Sequence, residues 1–83
     1  MKVAIRYFAS VREALGSGET FELASGTTVA AVRDALIARD AAHAAVLNRS
    51  RAIRSALNQV LCSESEVVGE GAEIGFFPPV TGG

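Results

Sequence analysis

The sequence predicts a single α+β domain in which one mixed sheet of about five strands lies over one main helix. Segments near both ends of the chain alternate apolar and polar residues, a pattern typical of half-buried strands. A segment between them repeats its apolar residues with helical spacing instead. The length of 83 residues leaves room for one small domain.

Composition and charge exclude several classes of function. The chain is 49% hydrophobic with a net charge of −1, so it lacks the basic excess of nucleic-acid-binding domains. No apolar run approaches the roughly 18 residues that a membrane span requires. Cys62 and His43 are the only residues of their types, which argues against disulfides and against a zinc site. We therefore expect a cytoplasmic protein that binds neither nucleic acid nor membrane and holds no metal.

The first two strands are predicted from alternation. Val3, Ile5 and Tyr7 alternate with polar or small residues and would share the buried face of the sheet. Phe8 has the opposite parity, so its ring should point away from the core. A second strand is predicted over residues 20–23 and should return alongside the first.

A short helix is predicted between these two strands. Ser10 and Glu13 have the spacing of a capping box, in which a serine at the N-cap and a glutamate three residues later satisfy free backbone N–H groups. Gly16 can adopt the left-handed conformation that ends such a helix.

The main helix is predicted to begin at Thr27 or Thr28, whose hydroxyls suit an N-cap. The apolar residues at helical spacing, which should face the sheet, are Val29, Val32, Leu36 and Ile37. The charged residues expected on the outer face are Arg33, Asp34, Arg39 and Asp40. One or two further helical turns over residues 40–47 should end at Asn48, with His43 exposed to solvent.

Three short strands are predicted in the remaining sequence. Two lie within residues 53–62 around a turn at Asn58-Gln59, because asparagine tolerates the left-handed conformation. A turn at residues 69–71 leads to the last strand, residues 73–77. Pro78-Pro79 ends that strand, since proline cannot donate a ladder hydrogen bond. In a single compact sheet the first and last strands would be parallel neighbours.

We divide the chain into a domain, residues 1–77, and an extended tail, residues 78–83. The two prolines favour an extended exit, and six residues reach at most about 20 Å. Gly82 and Gly83 lack side chains and would fit a narrow channel in another protein. A carboxylate placed there becomes reactive if ATP adenylates it, because AMP is then a good leaving group for a sulfur or amine nucleophile. A frayed tail without function is the alternative.

The last eight residues, Phe-Phe-Pro-Pro-Val-Thr-Gly-Gly at 76–83, resemble the ending of the small subunits of molybdopterin synthase, which are ubiquitin-like β-grasp sulfur carriers. Residues 7–13, followed by Gly16, are similar to the first strand and short helix of that family. Ala72 departs from the family, in which an acidic residue often precedes the last strand.

The resemblance implies a chemistry centred on Gly83. A ubiquitin-activating-like adenylyltransferase would use ATP to adenylate the Gly83 carboxylate, and a sulfur donor would convert it to a thiocarboxylate. The tail would then enter the large subunit of molybdopterin synthase and donate sulfur to a cyclic pterin precursor. The inserted residues would be Pro78, Pro79, Val80, Thr81 and Gly82. Catalytic side chains are expected on the large subunit, so this chain would be a non-catalytic donor that binds no cofactor stably.

Three apolar residues, Phe8, Leu61 and Phe77, are predicted to form the surface that binds these partners. Phe8 and Phe77 fall on the sheet face away from the helix, whereas Ile74 and Phe76 fall on the buried face. An exposed apolar patch usually marks an interface, and in the resembled family the matching positions dock both the activating enzyme and the large subunit. Additional core packing is the alternative.

Other functions remain open for the same fold and ending. The alternatives are a sulfur carrier for thiamine or tRNA thiolation and a ubiquitin-like protein modifier. The Pro-Pro-Val-Thr-Gly-Gly ending favours the molybdopterin carrier over both. Cys62 is expected to be structural, because no histidine accompanies it. Arg49, Arg51 and Arg54 are expected to lie in a solvated loop, with contact to an acidic partner surface as the alternative.

Overall fold

Five strands and three helices make up the part of the chain that the computed structural model describes, residues 1–79. In chain order they are β1 (Lys2–Tyr7), α1 (Ala9–Leu15), β2 (Gly18–Glu22), α2 (Val29–Arg39), α3 (Ala41–Leu47), β3 (Arg54–Leu57), β4 (Val60–Cys62) and β5 (Glu73–Phe77). The strands form one sheet in the order β2-β1-β5-β3-β4. Strands β1 and β5 are parallel and the other neighbours are antiparallel. The predicted mixed sheet, with its first and last strands side by side, is confirmed.

One cluster of buried side chains joins the inner face of the sheet to the helices. The strand residues in this cluster are Val3, Ile5, Tyr7, Ile74 and Phe76. The helix residues in it are Val11, Val29, Val32, Leu36 and Leu47. The predicted parity of β1 and β5 and the predicted inner face of α2 are therefore confirmed. No helix within residues 1–79 is long and apolar enough to span a bilayer.

Helix α1 begins two residues earlier than the predicted capping box requires. Phe8 is its N-cap and no side chain caps the helix, so the assignment of Ser10 as N-cap is wrong. The reason is that the chain passes from β1 directly into α1. The Phe8 N–H still donates to the Phe76 carbonyl at 3.1 Å, while the Phe8 carbonyl already accepts from the Val11 N–H at 3.1 Å. Ala9 makes this sharp change of direction with a φ of 53°.

The other helix ends follow the sequence more closely. The Thr28 hydroxyl accepts from the Ala31 N–H at 3.2 Å and so caps α2, as predicted. The Asp40 carboxylate caps α3 by accepting from the His43 N–H at 2.8 Å. Gly16 ends α1 with a φ of 93°, in the range that favours glycine.

Arg33 contradicts the predicted outer face of α2, because it is buried with only 3% of its surface exposed. Its guanidinium donates to the carbonyls of Leu47, Asn48 and Arg51 at 2.7, 2.8 and 3.1 Å. A fourth hydrogen bond, at 2.8 Å, goes to the Glu64 carboxylate. Arg33 therefore fastens α2 to the connector that follows α3, residues 48–51.

His43 is also buried, with 9% of its surface exposed, so the prediction of a solvated histidine is wrong. Its Nε2 lies 2.9 Å from Glu19 Oε2, and its Nδ1 lies 2.7 Å from Asp40 Oδ1. An ionised carboxylate only accepts hydrogen bonds, so both contacts are hydrogen bonds when the ring is protonated and both of its nitrogens donate. Burial lowers the pKa of His43, but the hydrogen bonds to Glu19 and Asp40 outweigh burial and raise the pKa above 6.5.

Glu19 is the centre of this polar cluster on the inner side of the sheet. It accepts from the Tyr7 hydroxyl at 2.6 Å and pairs with the Arg39 guanidinium. Burial raises the pKa of Glu19, but the hydrogen bonds from Tyr7 and His43 outweigh it and hold the pKa below 4.5. The cluster ties β1 and β2 to the corner between α2 and α3.

Candidate functional site

The outer face of the sheet carries a row of residues that pair across four strands. In β5, Gly75 lies between Arg6 of β1 and Ala56 of β3. Ala56 in turn lies opposite Leu61 of β4. Directly opposite residues share a sheet face, so Gly75 and Ala56 form a low floor between larger side chains. This floor belongs to an open groove of about 680 Å³, here called the outer groove, whose lining includes Phe8, Ala56, Leu61, Gly75, Phe77 and Pro78.

Two phenylalanines form one wall of the outer groove. The rings of Phe8 and Phe77 meet edge to face, with centroids 6.5 Å apart and an interplanar angle of 81°, a favourable aromatic arrangement. Gly75 makes room for this wall, because a Cβ at that position would lie 3.0 Å from Phe8 Cε2. Phe8 is 40% exposed and Leu61 is 62% exposed. The structure thus brings all three predicted interface residues to one groove, while their role in binding stays a prediction.

A charged pair borders this apolar surface. The Arg6 guanidinium lies 3.7 Å from the Glu73 carboxylate and 6.0 Å from the centre of the Phe8 ring. Both residues line the outer groove. An apolar centre with a polar rim is the usual composition of a protein docking surface.

The turn between β3 and β4 holds one end of the groove in place. Its central residues, Asn58 and Gln59, have φ values of 51° and 69°, which confirms the predicted left-handed turn. The sequence did not predict that Asn58 also joins this turn to β5. Its N–H donates to the Glu73 carbonyl at 2.8 Å, and its Oδ1 accepts from the Glu73 N–H at 3.0 Å. These paired bonds fix the position of Leu61, two residues beyond Gln59, relative to β5.

The point at which the tail leaves the domain lies beside the outer groove. Strand β5 ends at Phe77, as the two prolines predict, and we call Phe77 and Pro78 the tail root. Pro78 lines the outer groove and also a second, smaller hollow, whose lining includes Ser10, Ala14, Arg51 and Ile53. Pro79 is half-buried. The remaining residues predicted to insert or react, Val80, Thr81, Gly82 and Gly83, lie outside the described residues.

The cysteine predicted to be structural packs against the core and does not line the outer groove. Cys62 is a half-buried free thiol that packs against the core. Within residues 1–79, histidine, cysteine and acidic side chains form no group able to hold a metal ion.

Arg49 is held by carboxylates instead of lying free in a solvated loop. Its guanidinium lies 2.8 Å from Asp34 Oδ1 and also pairs with Glu64. Burial raises the pKa of Glu64, but Arg49 and Arg33 outweigh burial and lower the pKa below 4.5. The other two arginines of the predicted cluster, Arg51 and Arg54, are exposed.

Sequence comparison finds relatives that are named as sulfur carrier proteins. A model of the ThiS family matches residues 5–83. The molybdopterin synthase sulfur carrier subunit of Escherichia coli is 37% identical over 81 residues, which cover 98% of this chain and 99% of the relative. The molybdopterin synthase sulfur carrier subunit of Mycobacterium tuberculosis is 33% identical over 85 residues, which cover 100% of this chain and 99% of the relative.

Solved structures agree with the ubiquitin-like β-grasp architecture. SAMP1 from Haloferax volcanii matches with a TM-score of 0.79 and 27% identity, covering 100% of both chains. A chain in the complex of subunits 1 and 2 of the molybdopterin-converting factor from Helicobacter pylori matches with a TM-score of 0.69 over 100% of both chains. Its identity is 20%, so that likeness concerns the fold.

Proposed function

This chain belongs to the ThiS family, and we propose that it is the sulfur carrier subunit of a molybdopterin synthase. The observation that carries this proposal is its similarity, over nearly the full length of both chains, to two proteins of that name. The outer groove supports it independently, because a carrier that hands its cargo to another protein needs an exposed docking surface. The predicted residues Phe8, Leu61 and Phe77 supply that surface beside the tail root.

Gly83 is the residue that would carry the sulfur. Its carboxylate, ionised at neutral pH, attacks the α-phosphate of ATP bound to a ubiquitin-activating-like adenylyltransferase, and pyrophosphate leaves. Hydrosulfide (HS⁻) supplied by a sulfur donor then attacks the carbonyl carbon, AMP and a proton leave, and the product is a thiocarboxylate. Glycine has no Cβ to shield this carbon.

Docking and delivery would use different parts of the chain. The outer groove binds the large subunit of molybdopterin synthase, and the tail, residues 78–83, enters that subunit over a reach of about 20 Å. Catalytic side chains on the large subunit then transfer the sulfur to the cyclic pterin precursor. ATP is consumed by the activating partner, and this chain holds no cofactor stably. These steps would take place in the cytoplasm.

The single outer groove would also impose an order on the cycle. If the adenylyltransferase and the large subunit both dock on Phe8, Leu61 and Phe77, they exclude each other. The carrier must then leave one partner before it meets the next.

Sulfur transfer in the absence of ATP tests this proposal. Thiocarboxylated carrier mixed with the large subunit and the pterin precursor should yield sulfurated product, and unmodified carrier should yield none. A matched control adds one residue after Gly83, which moves the carboxylate by roughly 3.5 Å and should prevent adenylation while leaving the fold intact. Equal adenylation of the extended and native chains would contradict insertion of the tail into a channel.

A protein modifier is the second candidate, favoured by the likeness to SAMP1, a small archaeal modifier protein. A modifier forms an amide between its activated glycine and an amine of another protein. Adducts on lysines of other proteins, without sulfur transfer to the pterin precursor, would favour this candidate.

A further inference from the structure

Two arginines stand beside the tail root with no ion-pair partner in the described part of the chain. Four of the other arginines, Arg6, Arg33, Arg39 and Arg49, each pair with a carboxylate. Neither Arg51 nor Arg54 forms such a pair within residues 1–79. We propose that Arg51 and Arg54, here called the arginine pair, dock against carboxylates on the surface of the large subunit; this proposal rests on the proposed function.

The arginine pair lies on two sides of the tail root. Arg54 is directly opposite Phe77 in the register of β3 and β5, so its side chain leaves the sheet on the same face as the Phe77 ring. Arg51 lines the second hollow together with Pro78. A partner that receives the tail therefore meets both guanidinium groups next to the apolar surface of the outer groove.

Both arginines extend from backbone that the fold holds in place. The carbonyl of Arg51 accepts a hydrogen bond from the Arg33 guanidinium at 3.1 Å, and its N–H donates to the Asn48 carbonyl at 2.9 Å. Arg54 belongs to β3, which is paired with β4 and β5. Fixed backbone lowers the entropy lost when a side chain is ordered in an interface.

The chemistry of the arginine pair suits carboxylates on a protein surface. A guanidinium presents a planar fork of N–H donors that matches a carboxylate in two parallel hydrogen bonds. The chain as a whole has a net charge of −1, so there is no extended basic field of the kind that nucleic acids require. Charges at the rim of an apolar contact fix the orientation of the two partners and accelerate their association.

Orientation matters here because a thread entering a channel can still rotate about its own axis. The outer groove contacts the partner on one side of the tail root only. Ion pairs from Arg51, on the side of the second hollow, would fix the rotation and bring the tail into register with the channel.

Association kinetics with the purified large subunit test the proposal. Arg51→Glu, Arg54→Glu and the control Lys2→Glu each lower the net charge from −1 to −3, because each replaces one positive by one negative charge. Lys2 begins β1, which runs parallel to β5, so it lies at the opposite end of the sheet from the tail root. Melting curves should first establish that all variants are folded.

The proposal predicts a selective and salt-dependent loss. At low ionic strength, about 0.01 M, Arg51→Glu and Arg54→Glu should each lower the association rate constant by about tenfold, and at about 1 M the difference should disappear. Arg54→Lys keeps the charge and should retain most of the rate. Lys2→Glu should bind like the native chain.

Two results would overturn the proposal while leaving the proposed function intact. One is an unchanged association rate for both arginine variants when the native chain binds the large subunit and transfers sulfur. The other is an equal loss in Lys2→Glu, which would assign the effect to net charge alone. If the native chain does not bind the large subunit, the proposal and the proposed function fail together.

Discussion

The two faces of β5 carry similar apolar residues in opposite environments, one buried and one open to solvent. Ile74 and Phe76 point inward and are completely buried, whereas Phe77, the next residue, points outward into an open groove. Burying each large inner side chain away from water stabilises the fold by about 2 kcal/mol. Outer residues such as Phe77 stay partly exposed in the free chain. Their transfer from water therefore contributes to the free energy of binding when a partner covers them.

The two sides of the sheet also differ in the exposure of their charged side chains. On the inner side, Arg33, His43 and Glu19 are satisfied by partners within the chain, since an unpaired buried charge is very costly. On the outer side, the charges near the tail root remain accessible. The inner side thus stabilises the fold, and the accessible outer side is consistent with the docking role proposed for it.

Substitution of Phe76 or of its neighbour Phe77 by aspartate should give the largest difference between the two faces of β5. Phe76→Asp removes a fully buried ring and places a carboxylate in the core, and its cost should exceed the whole stability of a small domain, about 5 kcal/mol. Phe77→Asp should remain folded but lose binding to the large subunit. Circular dichroism and pull-down measurements check both. Unfolding of the two variants to the same extent would show that the faces do not differ as described.

Arg33→Met tests the buried charge on the inner side. The methionine fills similar space but leaves the carbonyls of Leu47, Asn48 and Arg51 without the guanidinium donor. It also removes one of the two arginines that pair with Glu64, so we expect a loss of about 3–5 kcal/mol in the free energy of unfolding. Urea denaturation measures this loss. A variant as stable as the native chain would mean that the connector does not depend on Arg33.

His43→Gln should have a smaller effect that depends on pH. A neutral Gln amide cannot replace the two charge-assisted hydrogen bonds of the imidazolium, so below pH 6.5 we expect a loss of about 2 kcal/mol. Because folding raises the pKa of His43, its contribution is complete below the unfolded value of about 6.5 and disappears as pH rises through the folded value. Folding lowers the pKa of Glu19 and Asp40, so their contribution disappears instead as the pH falls.

The difference in stability between His43→Gln and the native chain should therefore narrow from pH 6 towards pH 9. Thermal melting over this range measures it. A difference that stays constant over the whole range would contradict the imidazolium assignment.

Leu61→Asp should have the smallest effect on stability, since Leu61 is 62% exposed and such surface changes alter the free energy of unfolding by less than about 0.5 kcal/mol. Binding to the large subunit should nevertheless weaken by more than about tenfold, as expected for an apolar anchor of an interface. Isothermal titration calorimetry measures this. Unchanged affinity in a folded variant would remove Leu61 from the docking surface.

Local periodicity explains how much of the fold the sequence predicts. Alternation in β1 and β5, the turn at Asn58 and the cap at Thr28 depend on residues close in sequence, and all are confirmed. The sequence predicts Arg33 and His43 wrongly as exposed because their partners are distant in the chain. Glu64 is 31 residues from Arg33, and Glu19 is 24 residues from His43. Ser10 was misassigned because the ladder bond from Phe8 to Phe76 determines where α1 begins.

In the candidate site, too, the sequence predicts the features that depend on neighbouring residues and misses those that depend on distant ones. The sequence predicts the apolar character and the parity of Phe8 and Phe77, and it predicts the end of β5 before Pro78. The low floor at Gly75 and Ala56, and the position of Arg54 opposite Phe77, depend on the pairing of strands that are distant in the chain.

Intact-protein mass spectrometry of the carrier from sulfur-replete cells tests the central claim most directly. We expect a species heavier by one oxygen-to-sulfur exchange, with fragmentation placing the change on Gly83. A persulfide on Cys62 would add a whole sulfur atom and is distinguishable by its larger increment. Absence of the exchanged species under these conditions, with lysine adducts on other proteins in its place, would contradict the assignment as a sulfur carrier.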